Sequence, residues 1–171
     1  TSGPVIAGVS TNNSTGCMII PAGPTEHRGG RGRAIFGSGA TPTSVNVMDS
    51  VEIATIGNAV DFGDDIIART ENYGSCASST RGLFAGGYNT ATTAEINTIS
   101  YVTISSQGGI ADFGSLSGSW ASYSDGGYYG LGGTNDSTRG LFGGGQGPSS
   151  LIHYVTIATT GDASNFGDLT V

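Results

Sequence analysis

This chain carries one unit of about fifty residues written three times, and that repetition constrains its fold more than any other feature. The first marker reads Arg33-Ala34-Ile35-Phe36-Gly37-Ser38-Gly39. It returns as Arg81-Gly82-Leu83-Phe84-Ala85-Gly86-Gly87 and as Arg139-Gly140-Leu141-Phe142-Gly143-Gly144-Gly145. A second marker is Ser50-Val51-Glu52-Ile53, then Tyr101-Val102-Thr103-Ile104, then Tyr154-Val155-Thr156-Ile157. The third is Asp61-Phe62-Gly63-Asp64, then Asp112-Phe113-Gly114-Ser115, then Asn165-Phe166-Gly167-Asp168.

Spacing separates the rigid parts of the unit from the variable ones. Ile53 to Phe62, Ile104 to Phe113 and Ile157 to Phe166 each span 9 residues, so a fixed hairpin carrying Gly57, Gly108 or Gly161 is expected there. Phe36 to Ile53 is 17 residues, whereas the later copies give 20 and 15, which makes that connection a variable loop. The third-marker phenylalanines recur after 51 and then 53 residues. The whole chain reads as a single repeat domain, 1–171. Residues 1–32 form a degenerate unit, 33–80 a unit, 81–138 a unit with an insertion, and 139–171 a partial unit. Tyr128 to Gly133 is a further partial first marker inside the insertion.

Composition sets the class. Glycine is 31 of 171 residues, yet prolines number only 5 and no Gly-X-Y period exists, so collagen is excluded. Hydrophobic residues are 36% and sit in short β-branched clusters, which excludes disorder. No sustained 3.6-residue apolar period appears, so the expected fold is all-β with Gly/Ser/Thr/Asn turns. The net charge is −7, lysine is absent and all six basic residues are arginines. That balance opposes nucleic-acid binding, which needs clustered cations for phosphate contacts. No apolar run approaches the ~20 residues of a membrane helix, so no membrane insertion is expected.

A hydrophobic strand ending in Gly-Gly, a variable loop, and then a Tyr-Val-Thr-Ile strand resembles the kelch-type β-propeller repeat. The variant with Arg-Gly-Leu-Phe-Gly-Gly, Tyr-Val-Thr-Ile-Ala-Thr-Thr-Gly and Phe-Gly-Asp-Leu resembles repeats in structural proteins of tailed bacteriophages, especially those of marine cyanobacteria. The resemblance covers about 33–171. It departs from ordinary kelch repeats in lacking the blade tryptophan, with Phe62, Phe113 and Phe166 standing near its place. It implies a kelch-like propeller or partial propeller of about three to four four-stranded units, with a β-sandwich or β-solenoid of the same hairpins as the alternative. It further implies a non-enzymatic virion structural or appendage protein, in a tail, fibre or capsid decoration, located in the virion or outside the cell. Its partners would be other virion proteins, copies of itself, or a host-surface glycan. The competing classes are a carbohydrate-binding module and a copper oxidase-like propeller.

Physical reasoning assigns roles to the repeated residues. Phe36, Phe84, Phe142, Phe62, Phe113 and Phe166 are expected to pack between neighbouring units. Arg81 and Arg139 are expected to hydrogen-bond carbonyls or carboxylates between units, with Asp61 or Asp112 as a carboxylate partner. No catalytic residue, cofactor or metal site is expected. Asp-Phe-Gly spells a kinase tripeptide, but it recurs and has no partner lysine. Asp61 with Asp64, and Asn165 with Asp168, carry oxygens suited to calcium, yet their repetition fits turn caps. His27 and His153 occupy non-equivalent positions and read as surface or edge residues. Cys17 and Cys76 are non-equivalent too and read as buried free thiols rather than as a disulfide framework.

The variable loops are the candidate binding elements: Ala40 to Ser44, Tyr88 to Asn97, Gln146 to Ser150, and the insertion Trp120 to Asp136. Trp120, Tyr123, Tyr128, Tyr129 and Tyr88 are the candidate contact residues, because aromatic rings with polar tips stack on sugars and anchor protein partners.

Overall fold

The computed structural model of the chain describes residues 10–12, 17–19, 32–70, 73–116, 130–145 and 150–170. These residues are all-β, and every ladder between strands is antiparallel. A short ribbon pairs β1 (Ser10–Asn12) with β2 (Cys17–Ile19). A first sheet follows in the order β3 (Arg33–Ala40), β4 (Ser44–Glu52), β5 (Val60–Arg69). The next strands are β6 (Gly74–Ala77), β7 (Arg81–Ala85), the ribbon of β8 (Tyr88–Asn89) and β9 (Ala94–Glu95), β10 (Thr98–Thr103) and β11 (Ala111–Ser115). Four of them form a second sheet in the order β6, β7, β10, β11, with the ribbon inserted between β7 and β10. The third sheet is β12 (Leu131–Asn135), β13 (Arg139–Gly144), β14 (Leu151–Thr156) and β15 (Ser164–Asp168). None of these sheets closes into a barrel.

The sheets group the chain differently from the markers. The Arg-Gly-Leu-Phe marker is the second strand of its sheet, and the first strand comes from upstream. Leu131–Asn135, which reads as part of the preceding unit's insertion, is therefore the opening strand of the third sheet, paired Leu131 to Gly144 through Asn135 to Gly140. The unit expected to be partial is consequently a complete four-stranded sheet.

Each marker has a local physical basis. The second marker supplies β-branched and aromatic residues to β4, β10 and β14, the strands that pair on both sides. The third marker is a β-bulge. Met48 pairs Gly63 and Asp49 pairs Asp61, so Phe62 is the extra residue; Phe113 and Phe166 are skipped in the same way opposite Ile99/Ser100 and Ile152/His153. The glycine that follows takes φ of 138°, 146° and 150° in the three copies, a region open to glycine and costly for other residues. The carboxylates before the bulge stabilise it from within: Gly63 N–H donates to Asp61 Oδ1 at 2.9 Å, and Gly114 N–H to Asp112 Oδ1 at 3.1 Å.

The core lies between sheets. One cluster joins Met48 and Phe62 of the first sheet to Phe84, Val102 and Ile104 of the second. The other joins Leu83, Ile99 and Phe113 of the second to Phe142, Val155 and Ile157 of the third. The sheets approach so closely that a Cβ on Gly133 would lie 2.2 Å from the Ser75 carbonyl oxygen, and one on Gly114 would lie 2.4 Å from that of Gly161. Glycine at these positions is a packing requirement.

The meander also sorts the connections by end. The fixed hairpins after β4, β10 and β14 share one turn, with Thr55, Ser106 and Thr159 N–H donating to the carbonyls of Glu52, Thr103 and Thr156. The variable loops that precede β4 and β10 lie at the opposite end.

Candidate functional site

The polar residues of the repeat converge on the seams between sheets. The bulge frees the carbonyl of its phenylalanine, and the next unit's fixed hairpin takes it. Gly108 N–H donates to Phe62 O at 2.7 Å, and Gly161 N–H donates to Phe113 O at 2.7 Å. The marker arginines cross the same seams in the same direction. Arg33 Nη1 donates to Ile104 O at 3.1 Å, and Arg81 Nη1 to Ile157 O at 3.1 Å and Ala158 O at 2.9 Å. Arg81 thus bonds carbonyls across the seam. Asp61 and Asp112 are not its partners, because their Oδ1 atoms accept from their own bulges.

Each arginine also rests on the aromatic ring of its own sheet. Arg81 lies 4.6 Å above the Tyr101 ring, and Tyr101 meets Phe113 edge-on at 5.9 Å. Arg139 repeats this with Tyr154 at 5.1 Å, and Tyr154 with Phe166 at 6.1 Å. In the first unit Ser50 replaces the tyrosine, and Arg33 Nε instead pairs with Glu52 at 3.1 Å.

A further arginine belongs to no marker. Arg69, at the end of β5, is fully buried and enters the second sheet. Its Nη1 donates to the carbonyls of Gly86 (2.9 Å), Phe84 (3.2 Å) and Thr98 (3.3 Å), and its Nη2 to Ser100 Oγ (3.1 Å). Its Nε lies 3.0 Å from Asp65 Oδ2, an i,i+4 ion pair buried on both sides. Burial pulls the guanidinium pKa below its ordinary value, while Asp65 opposes that shift. Sequence reading missed this group; the one available signal was an arginine without a repeat counterpart.

At the loop end, two variable loops are tied together. Ser44 N–H donates to Thr90 Oγ1 at 2.8 Å, Thr90 N–H donates to Ser44 Oγ at 2.9 Å, and Thr70 and Tyr88 exchange backbone hydrogen bonds. Asn89 Oδ1 accepts from Ala91 and Thr92 N–H. The result is a hydroxyl-rich rim spanning the first two sheets, with Tyr88 half-buried at its base. Trp120, Tyr123, Tyr128 and Tyr129 lie outside the described residues, as do His27 and the 146–149 part of the third loop.

A cleft of about 380 Å³ opens where the three sheets meet, lined by Arg33, Ser75, Cys76, Leu83, Phe84 and Asn135 among others. Its arginine is committed to Ile104 O and Glu52. Burial pushes the Cys76 thiol up to about 12, so it stays protonated at neutral pH and is not a nucleophile. His153, expected at a surface or edge, is buried in the middle of β14, and desolvation lowers its pKa. Among the described residues, no three His, Cys, Asp or Glu side chains gather as metal ligands. No family model matches the chain, and no curated protein matches it.

Proposed function

We propose that the chain is a non-enzymatic structural or appendage module of a virion, built as part of a kelch-like propeller and presenting its variable loops to partners. One observation carries this reading: the same seam occurs twice, with equivalent atoms. The bulged phenylalanine carbonyl, the hairpin glycine and the marker arginine are all engaged in joining one sheet to the next. Polar groups spent in this way build architecture. Consecutive four-stranded antiparallel meanders packed face to face, with glycines at the close approaches, suit the radial crowding of propeller blades.

The loop rim favours carbohydrate binding as a second reading. Ser44 and Thr90 place two hydroxyl groups together on one rim, with Ser44 Oγ bonded to the Tyr88 carbonyl, and hydroxyls beside an aromatic residue suit a sugar face. Mass spectrometry of purified virions tests the first reading. It requires this chain at a copy number comparable to tail or capsid components, and its absence from the particles refutes the virion assignment. A glycan array separates the second reading, and stoichiometric copper in the purified protein would redirect the function to oxidase chemistry.

A further inference from the structure

The two ends of the described repeat array expose the two halves of a seam. At interior positions the seam residues are buried: Phe62 and Phe113 are 1% and 2% exposed, and Ile104 and Ile157 are 8% and 1%. Their terminal counterparts are open. Phe166, equivalent to Phe62 and Phe113, is 51% exposed. Ile53, equivalent to Ile104 and Ile157, is 68% exposed, and Phe36, equivalent to Phe84 and Phe142, is 62% exposed. The polar half matches. Arg139 is exposed and rests on its own Tyr154 ring near Asp136, and among the described residues it donates to no carbonyl of another sheet, where Arg33 and Arg81 reach carbonyls of the next sheet. Gly57 and Ile53, whose N–H and carbonyl such an end would meet, are exposed residues of the hairpin between β4 and β5.

We propose that a second copy of this chain docks head to tail, seating its Phe166 end on the Phe36–Ile53 face and repeating the internal seam. Gly57 N–H donates to the partner copy's Phe166 carbonyl, and the partner copy's Arg139 donates to Ile53 O. The two surfaces differ from each other, so the contact is heterologous. Continuity with the internal seams identifies the occupant, because the docking end must carry a bulged Phe-Gly and a marker arginine. Residues 1–31, the alternative within this chain, contain no Phe-Gly, and their Val5-Ile6-Ala7-Gly8, which matches Leu83-Phe84-Ala85-Gly86, has Gly3 where the arginine would stand. The proposal rests on the repeated seam and not on the virion assignment.

Single-cysteine cross-linking tests this. Asn58 and Asp168 are exposed and correspond to Asp162 and Ser115, which are joined at 2.9 Å across the internal seam. In a Cys17→Ser background, a mixture of Asn58→Cys and Asp168→Cys chains is expected to form a mixed disulfide dimer under mild oxidation. Each variant alone is expected to form little. Sedimentation measures the association directly. Phe166→Ala and Ile53→Ser, on opposite faces, are each expected to weaken it about tenfold or more, with the far-ultraviolet circular dichroism unchanged. Ile53→Ser is far from the third sheet, so it tests the contact even if Phe166→Ala perturbs β15. A ladder of larger species carries the same seam and supports the proposal. A protein that stays monomeric up to about 1 mM, or one that cross-links mainly Asn58→Cys to itself, overturns it. So does an association that neither substitution weakens.

Discussion

Replacing Asp65 with alanine tests whether the buried Arg69 ties the first two sheets together. The guanidinium of Arg69 has no exposure, and Asp65, 3.0 Å from its Nε, is the acidic side chain paired with it. Removing one member of a buried ion pair leaves an uncompensated charge and costs about 3–5 kcal/mol. The four hydrogen bonds to Phe84, Gly86, Thr98 and Ser100 remain and hold the arginine in place, so Asp65→Ala is expected near the lower bound. Arg69→Met also breaks the pair and removes those donors. The carbonyls keep partial satisfaction, since Gly86 N–H already donates to Thr98 O at 3.2 Å. Asp65 Oδ1 has no hydrogen-bond partner among the described residues, so the pair is imperfectly satisfied and its hydrophobic replacement is well tolerated. The double variant Asp65→Ala with Arg69→Met should therefore lose less stability than the two single changes together, with a coupling of about 2 kcal/mol. Equilibrium urea unfolding of wild type, the two singles and the double measures all four corners. Additive effects, or an Asp65→Ala loss below about 1 kcal/mol, would refute the argument that this pair is a desolvated staple.

The remaining predictions address other parts of the structure. Gly133→Ala is expected to destabilise by about 2 kcal/mol, because its Cβ would strike the Ser75 backbone, whereas Gly132→Ala, 3.7 Å from the Gly143 oxygen, should cost far less; thermal melts compare them. Arg81→Ala is expected to lose about 1–2 kcal/mol through its Tyr101 stacking and its seam hydrogen bonds, with Arg81→Lys recovering only part. Burial lowers the pKa of His153 in the folded state, so the unfolded chain binds the extra proton. Stability is then full above the ordinary histidine value of 6.5 and falls as pH drops from there through the lowered folded value; His153→Gln should flatten that slope in urea titrations at about pH 7.5 and 5.5. Replacing Tyr128 and Tyr129 with alanine is expected to weaken assembly or host adsorption more than replacing Thr159 and Thr160, as binding assays on the purified chain would show.

What the sequence determined by itself was the local grammar of the fold. A fixed 9-residue spacing specifies a hairpin, Tyr-Val-Thr-Ile specifies a strand, and Asx-Phe-Gly specifies a side chain that caps its own backbone, because each depends on backbone preferences and contacts within a few residues, whereas the bulge at that point emerged from the strand register. The placement of Phe62 and Phe113 between units was readable for the same reason: an apolar ring repeated at a constant turn needs a constant neighbour. The joining of units was only half legible. That Arg81 bonds across units followed from its repetition, but the choice of carbonyls over Asp61 or Asp112, and of Ile157 and Ala158, 76 and 77 residues away, did not.

Tertiary structure alone decided the rest. Leu131–Asn135 is a strand because β13 pairs with it, while its own Leu-Gly-Gly-Thr-Asn has low strand preference. Arg69 and Asp65 look like surface charges until the second sheet closes over them. The tying of Ser44 to Thr90 spans 46 residues and two loops with no shared pattern, so the rim that they build was invisible in the chain. In each case the deciding contact lies far off in sequence and is made by groups that are ordinary in their local setting. Local propensity carries no trace of such contacts, and only the packing of one sheet on the next selects them.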